Sequence, residues 1–246
     1  MKKTNLVAVF TCENINKQLS LLKKYKNFID SVEIRVDSFY KNNKIKEIPN
    51  IIKNIKDAIP KIKIIITFRK LEEGGCVKVY EKTRQFVITE LLKSSHQYIN
   101  FVDIEFFSKI KNKIINLAKK YKKIVILSFH KLDKNFKLNE VTKIIKKMQK
   151  FVNSNKKHCI IKIVVYCDSL YKYIEILKSA HIKPTTKTKV FKNISIFSVG
   201  KTSILSRLIC FVLDMPIVYA ALSKAVIKTQ PTIKQIVKIK RLLANN

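Results

Sequence analysis

The strongest constraint in this sequence is a rhythm. Short apolar, β-branched runs recur eight times, each followed by a longer lysine-rich stretch of helical period. The runs are Leu6–Thr11, Val32–Val36, Lys63–Phe68, Ile99–Glu105, Ile124–Phe129, Cys159–Tyr166, Ile194–Val199 and Ile217–Ala221. Helical spacing covers 14–27, 46–58, 79–95, 107–120, 139–153, 168–180, 201–213 and 232–244. Many of the runs are apolar almost throughout, as strands covered on both faces must be. Strand–helix pairs in unbroken succession build a parallel sheet, and their number favours closure into a (β/α)8 barrel over an open sheet. The length of 246 residues matches the roughly 250 usual for that barrel. No linker or low-complexity tract interrupts the pattern, so 1–246 reads as one domain.

The formal charge of +34 raises the question of a nucleic-acid or anionic-membrane partner. Five of the basic residues are arginine and the other 46 lysine, spread over nearly every amphipathic segment. A nucleic-acid face would gather its charge into one stripe. The abundance of lysine, isoleucine and asparagine reads instead as a compositional bias, with no nucleic-acid partner expected. A basic cleft would still draw in an anionic substrate. Five scattered cysteines without a Cys-x-x-Cys pair fit a reducing, cytoplasmic setting better than a disulfide framework. The apolar stretch Leu6–Phe10, closed off by Glu13, is too short for a signal-peptide core and reads as a first strand. No run reaches the length of a membrane span.

In such a barrel the chemistry sits at the C-terminal ends of the strands. The second run ends in Glu33, Arg35 and Asp37, which strand alternation puts on one face, where buried charges must pair. The third leads into Thr67, Arg69, Glu72, Glu73, Gly74 and Gly75. The chain has three glycines where average usage gives about 17, so this doublet marks either an ordinary tight turn or a close backbone approach. Arg35, Arg69 and Arg207 fall at or just beyond strand ends, where a chain rich in lysine has reason to use the bidentate guanidinium. Arg84 and Arg241 have no such context.

Asp103 and Glu105 close the fourth run, and Ser128 and His130 the fifth. His130 is either structural or a general base placed where one would have to be. Lys162 stands inside the apolar sixth run. It is either a snorkelling edge lysine or a buried amine whose charge is disfavoured and whose lone pair is free for imine formation. Gly200, Lys201 and Thr202 imitate the end of a phosphate-binding loop, but Ser195 occupies the place of its first glycine. The carboxylates at 33, 37, 103 and 105 could hold Mg²⁺, yet the neighbouring arginines make ion pairing simpler.

Taken together, these segments resemble the type I 3-dehydroquinate dehydratases along nearly the whole chain. The resemblance rests on Glu33-x-Arg35-x-Asp37, Thr67-x-Arg69 through Glu73-Gly74-Gly75, Asp103-x-Glu105, Ser128-Phe129-His130, Lys162-Ile163-Val164, Ser206-Arg207 and Gln230. It implies that Lys162 forms a Schiff base with the C3 ketone of 3-dehydroquinate. His130 then moves the C2 proton, with Glu73 orienting it. Arg207 clamps the substrate carboxylate, while Glu33, Arg35, Arg69 and Gln230 hold hydroxyls. No metal or cofactor is implied, and a cytoplasmic homodimer is. Three departures stand out. Val226-Ile227-Lys228-Thr229-Gln230 replaces the family's Ser-Ala-Pro-Gly-Gln closing loop, Lys131-Leu132 follows His130, and Ser203 takes the place of a glycine. The rival readings are another Schiff-base lyase of aldolase type, a basic nucleic-acid or anionic-surface binder on an inactive barrel, and a barrel that forms the imine without turnover.

Overall fold

The computed structural model describes residues 4–154, 159–180, 193–223 and 229–244. Eight parallel strands run β1 (Asn5–Phe10), β2 (Ser31–Arg35), β3 (Lys63–Thr67), β4 (Ile99–Glu105), β5 (Ile124–Lys131), β6 (Cys159–Tyr166), β7 (Ile194–Val199) and β8 (Ile217–Ala221). They pair in the order β7-β6-β5-β4-β3-β2-β1-β8, each with its sequence neighbour except β7 with β8, and β1 also with β8. This is the (β/α)8 barrel that the rhythm predicts. At the β7/β8 seam, side chains replace a ladder: the Ile217 amide donates to Ser195 Oγ at 3.0 Å, and the Phe197 and Tyr219 rings lie 5.8 Å apart.

One helix follows each strand on the outside: α1 (Ile15–Lys24), α3 (Ile48–Ala58), α4 (Glu81–Ser95), α5 (Lys111–Lys120), α6 (Leu138–Ser154), α7 (Leu170–Ser179), α8 (Ser203–Val212) and α9 (Ile233–Ala244). An additional short helix, α2 (Val36–Lys41), leads toward α3. The outer ring follows from helical spacing. In α3, Ile48, Ile51, Ile52 and Ile55 are buried, the i, i+3, i+4, i+7 stripe of a helix packed on a sheet. Each fully buried isoleucine contributes about 1.5–3 kcal/mol. Among the described residues no helix is long and apolar enough to cross a membrane.

Two placements differ from the sequence reading. Asp37 is not on β2: the strand ends at Arg35 and the chain turns at once into α2, with Asp37 in its first turn. Alternation therefore does not put Asp37 on a face with Glu33 and Arg35. The pairing arises because the helical turn brings Asp37 back under the Arg35 guanidinium, with Nε–Oδ1 at 2.9 Å and Nη2–Oδ2 at 2.8 Å. In addition, β5 runs two residues further than expected, to Lys131, so His130 is held within the ladder opposite Val164.

Candidate active site

Period-2 alternation turns every second strand residue into the barrel. Near the C-terminal ends those residues are Val9, Glu33, Arg35, Lys162, Val164, Phe197, Val199 and Tyr219. Together with Arg69, Glu73, Gly74, His130, Arg207 and Gln230 they line one pocket. The eight residues singled out from the sequence as catalytic or binding residues all reach it. Of the closing loop, Val226, Ile227 and Lys228 lie outside the described residues. Thr229 accepts a 2.8 Å hydrogen bond from the Gly200 amide.

Lys162 is 4% exposed, which excludes the snorkelling alternative. Its Nζ donates to Asp103 Oδ2 at 2.9 Å and reaches Glu33 Oε1 at 3.5 Å. The amine also stands 4.0 Å from the centre of the Tyr219 ring. Glu33 Oε1 accepts in turn from Thr67 Oγ1 at 2.8 Å. Burial opposes the charge on Asp103, but Arg69 and Lys162 hold its carboxyl down at about 2.

Arg69 ties three strand ends together. Its Nη2 meets Asp103 Oδ1 at 2.6 Å, and its Nη1 meets Ser128 Oγ at 2.6 Å and Glu105 Oε1 at 3.2 Å. Arg84, which had no strand-end context in the sequence, is fully buried on α4 and pairs with Glu105 from the other side. The carboxylates considered for Mg²⁺ thus face guanidinium or ammonium groups. Among the described residues no three His, Cys, Asp or Glu side chains gather as a metal site.

The turn after β3 carries Glu73 to His130. A one-turn 3₁₀ segment, Leu71–Glu73, ends at Gly74 with φ 87°. A side chain on Gly75 would come within 2.7 Å of the Lys70 carbonyl oxygen, so close backbone approach decides between the two readings of the doublet. Glu73 Oε2 then accepts from the His130 amide at 2.9 Å and lies 3.1 Å from Nδ1. Burial lowers the His130 pKa well below 6.5, helped by Arg69, Lys162 and Arg35. The imidazole is therefore neutral at pH 7, and the Glu73 oxygen beside Nδ1 favours the tautomer protonated there, which leaves the Nε2 lone pair for the pocket. Burial raises Glu73 to about 7, against the pull of Arg69.

Arg207 is 1% exposed and lies across the β7/β8 seam. Nη1 donates to the carbonyl of Ser198 and, at 2.9 Å, to the carbonyl and Oγ of Ser203, while Nε reaches the Tyr219 carbonyl at 3.4 Å. Among the described residues Nη2 has no partner and no carboxylate pairs with the group. Burial without a counter-ion brings its pKa down to about 10. An uncompensated buried cation on a pocket wall is a receptor for an anion. The imitation phosphate loop does no such work, since Thr202 Oγ1 is bonded to Ser198 Oγ at 2.7 Å and to the Cys167 carbonyl at 3.3 Å.

Tyr219 went unnoticed in the sequence. Its signal was a single large polar side chain at an inward position of an otherwise small and aliphatic strand, Ile-Val-Tyr-Ala-Ala.

The fold and this pocket define a class: (β/α)8 enzymes with an interior lysine and an anion receptor at the C-terminal face. Within that class the family model of the type I 3-dehydroquinases matches residues 6–246. The chain belongs to the type I 3-dehydroquinase family, which are hydro-lyases. The 3-dehydroquinate dehydratase of Pyrococcus abyssi is 24% identical over 238 residues, 97% of this chain and 98% of its own. That of Thermococcus onnurineus is 25% identical over 231 residues, 94% of each chain. Among solved structures, the type I enzyme of Clostridium difficile, determined with covalently modified comenic acid, superposes with a TM-score of 0.79. It is 21% identical, covering all of this chain and 94% of that one. The Aquifex aeolicus enzyme gives 0.76 at 22% identity, covering 99% of this chain and all of that one. These superpositions show the shared fold.

Proposed function

We propose that residues 1–246 form one catalytic domain that dehydrates 3-dehydroquinate to 3-dehydroshikimate through an imine on Lys162, within the shikimate pathway. The observation that carries the reading is the shared pocket: Lys162, His130 and Arg207, which has no carboxylate partner among the described residues, line one cavity. Lys162 attacks the C3 ketone and expels its oxygen as water, and the resulting iminium acidifies the C2 proton. His130 Nε2 takes that proton and returns one to the C1 hydroxyl, which leaves as water as the C1–C2 double bond forms. Hydrolysis of the imine consumes one water, so one is lost overall. Glu73 orients His130. Arg207 receives the carboxylate, and Glu33, Arg35, Arg69 and Gln230 hold ring hydroxyls. The neutral state of His130 supports its part, since a base must be unprotonated at working pH.

A homodimer in the cytoplasm completes the reading. Exposed apolar side chains on the neighbouring helices α7 and α8, Tyr171 and Val212 among them, support a subunit contact. Free thiols at all five cysteines suit a reducing compartment.

The test is borohydride reduction in the presence of 3-dehydroquinate, followed by peptide mass mapping. An adduct on Lys162 is expected. Lys162→Ala should lose it together with at least about a thousandfold in kcat. A folded wild-type protein that gives no adduct at saturating substrate sinks the reading.

A further inference from the structure

Tyr219 carries a hydroxyl with no partner among the described residues, in a place where hydroxyls are rarely left alone. The residue is 2% exposed, and its Oη is a buried polar atom without a hydrogen bond among the described residues. Almost all buried polar side-chain atoms in proteins are bonded, and an orphan is destabilising. Phenylalanine would fill the same volume without that cost, and Phe197, the tilted ring beside it at 5.8 Å, does so. Tyr219 is one of the residues lining the pocket, so its side chain belongs to the pocket wall rather than to the apolar layer outside the barrel. Its ring sits 4.0 Å from Lys162 Nζ, and its hydroxyl lies in the field of Glu33, Asp103, Arg69 and Arg35.

We infer that Tyr219 is a further substrate-binding residue, whose ring seats the Lys162 amine and whose hydroxyl donates a hydrogen bond to a substrate oxygen at, or next to, the carbon that the amine attacks. The inference rests on the imine reading above and assigns a residue that the reading leaves unused.

The surroundings fix the direction of that bond. Burial, with the carboxylates of Glu33 and Asp103 close by, pushes the phenol well above its ordinary 10, so it stays protonated and donates at neutral pH. The placement also explains the stacking. A cation over a ring face is held there by the ring's quadrupole, and Asp103 and Glu33 hold the same Nζ by its protons. The amine is thus aimed, and the hydroxyl at the rim of the same ring meets whatever oxygen the attacked carbon carries or borders.

Tyr219→Phe separates this role from a structural one, because it keeps the ring and removes only the hydroxyl. Thermal melting of the free protein and steady-state kinetics on 3-dehydroquinate are measured for wild type and variant. The inference requires opposite movements. The Tm should stay level or rise by about 2–4 °C as the orphan is removed, while kcat/KM falls about tenfold. An active wild type matched within twofold by the variant overturns the inference and leaves the imine reading standing. A wild type with no turnover overturns both.

Discussion

At the residue scale, the charges of the site answer one another except at Arg207, and the answers set its pH behaviour. His130 and Glu73 touch, yet burial shifts the two in opposite directions. Between 6.5 and the lower folded value of His130, the unfolded chain binds a proton that the folded chain refuses. Stability from this group is therefore lost as pH falls. Between 4.5 and about 7 the folded chain keeps a proton on Glu73 that the unfolded chain has released. Stability from that group is full below 4.5 and is lost as pH rises. Where the windows overlap the slopes oppose, and the wild type should be nearly flat from pH 5 to 6.5. Glu73→Gln removes one slope and leaves the other, because burial, Arg69, Lys162 and Arg35 still depress His130. Its unfolding free energy should climb from pH 5 to 6.5 by up to about 1.4 kcal/mol per unit. Urea titrations at the two pH values read this directly, and a variant as flat as the wild type would remove the case for a neutral His130. Most of these residues were legible because charge inside an apolar run must be accounted for. Tyr219 was not, since a tyrosine in a strand raises no such demand until its hydroxyl is seen to lack a partner.

At the element scale, the strands were legible and their ends less so, for a reason visible in the helices. Side-chain caps stand at α7, where Ser169 Oγ accepts from the Lys172 amide at 3.3 Å, and at α9, where Thr232 Oγ1 accepts from the Gln235 amide at 3.4 Å. α1 begins after Asn14 in a left-handed conformation with φ 47°, and α4 after an extended Tyr80, both without a side-chain cap. A border without a cap leaves no mark in the sequence. Hence α2 was read as the tail of β2, and Asp37 was assigned a strand it does not occupy. The turn after β3 was better marked, since glycine is scarce here and was kept twice in succession. That turn is held by the Gly75 amide on the Lys70 carbonyl at 2.8 Å and by Arg35 Nη2 on the Gly74 carbonyl at 2.9 Å. Gly75→Ala would drive a Cβ to within 2.7 Å of the Lys70 oxygen, and the backbone must give. The turn that presents Glu73 would then shift, with an expected cost of about 1–3 kcal/mol. A misplaced positioning group costs rate steeply, so kcat/KM should drop at least about tenfold while the Lys162 adduct still forms under borohydride. Unchanged kinetics would mean that the turn carries Glu73 without fixing it.

At the scale of the whole molecule, the barrel was readable from the count and order of its runs, whereas the meaning of +34 was not. The structure sharpens that question. Four of the 17 acidic side chains, Glu33, Asp37, Asp103 and Glu105, are buried in the site and its supports, so they answer charges inside the barrel and leave the surface to lysine. Surface pairs such as Lys93–Glu90 and Lys178–Glu175 are short-range helix contacts between solvent-screened groups, which add little. Self-repulsion over the outer ring therefore outweighs attraction, and added salt should stabilise the fold. The Debye length shortens from about 10 Å at 0.1 M salt to about 3 Å at 1 M, which screens neighbouring surface lysines but scarcely touches the buried pairs. The same field draws an anionic substrate toward the barrel mouth, and salt weakens that attraction. Raising NaCl from 0.05 to 0.5 M should thus raise Tm by several degrees and lower kcat/KM for 3-dehydroquinate, with kcat nearly constant. A neutral osmolyte should raise Tm without the loss in kcat/KM. If Tm instead falls with salt, attraction dominates the surface, and the lysine excess is organised into pairs or a patch rather than spread.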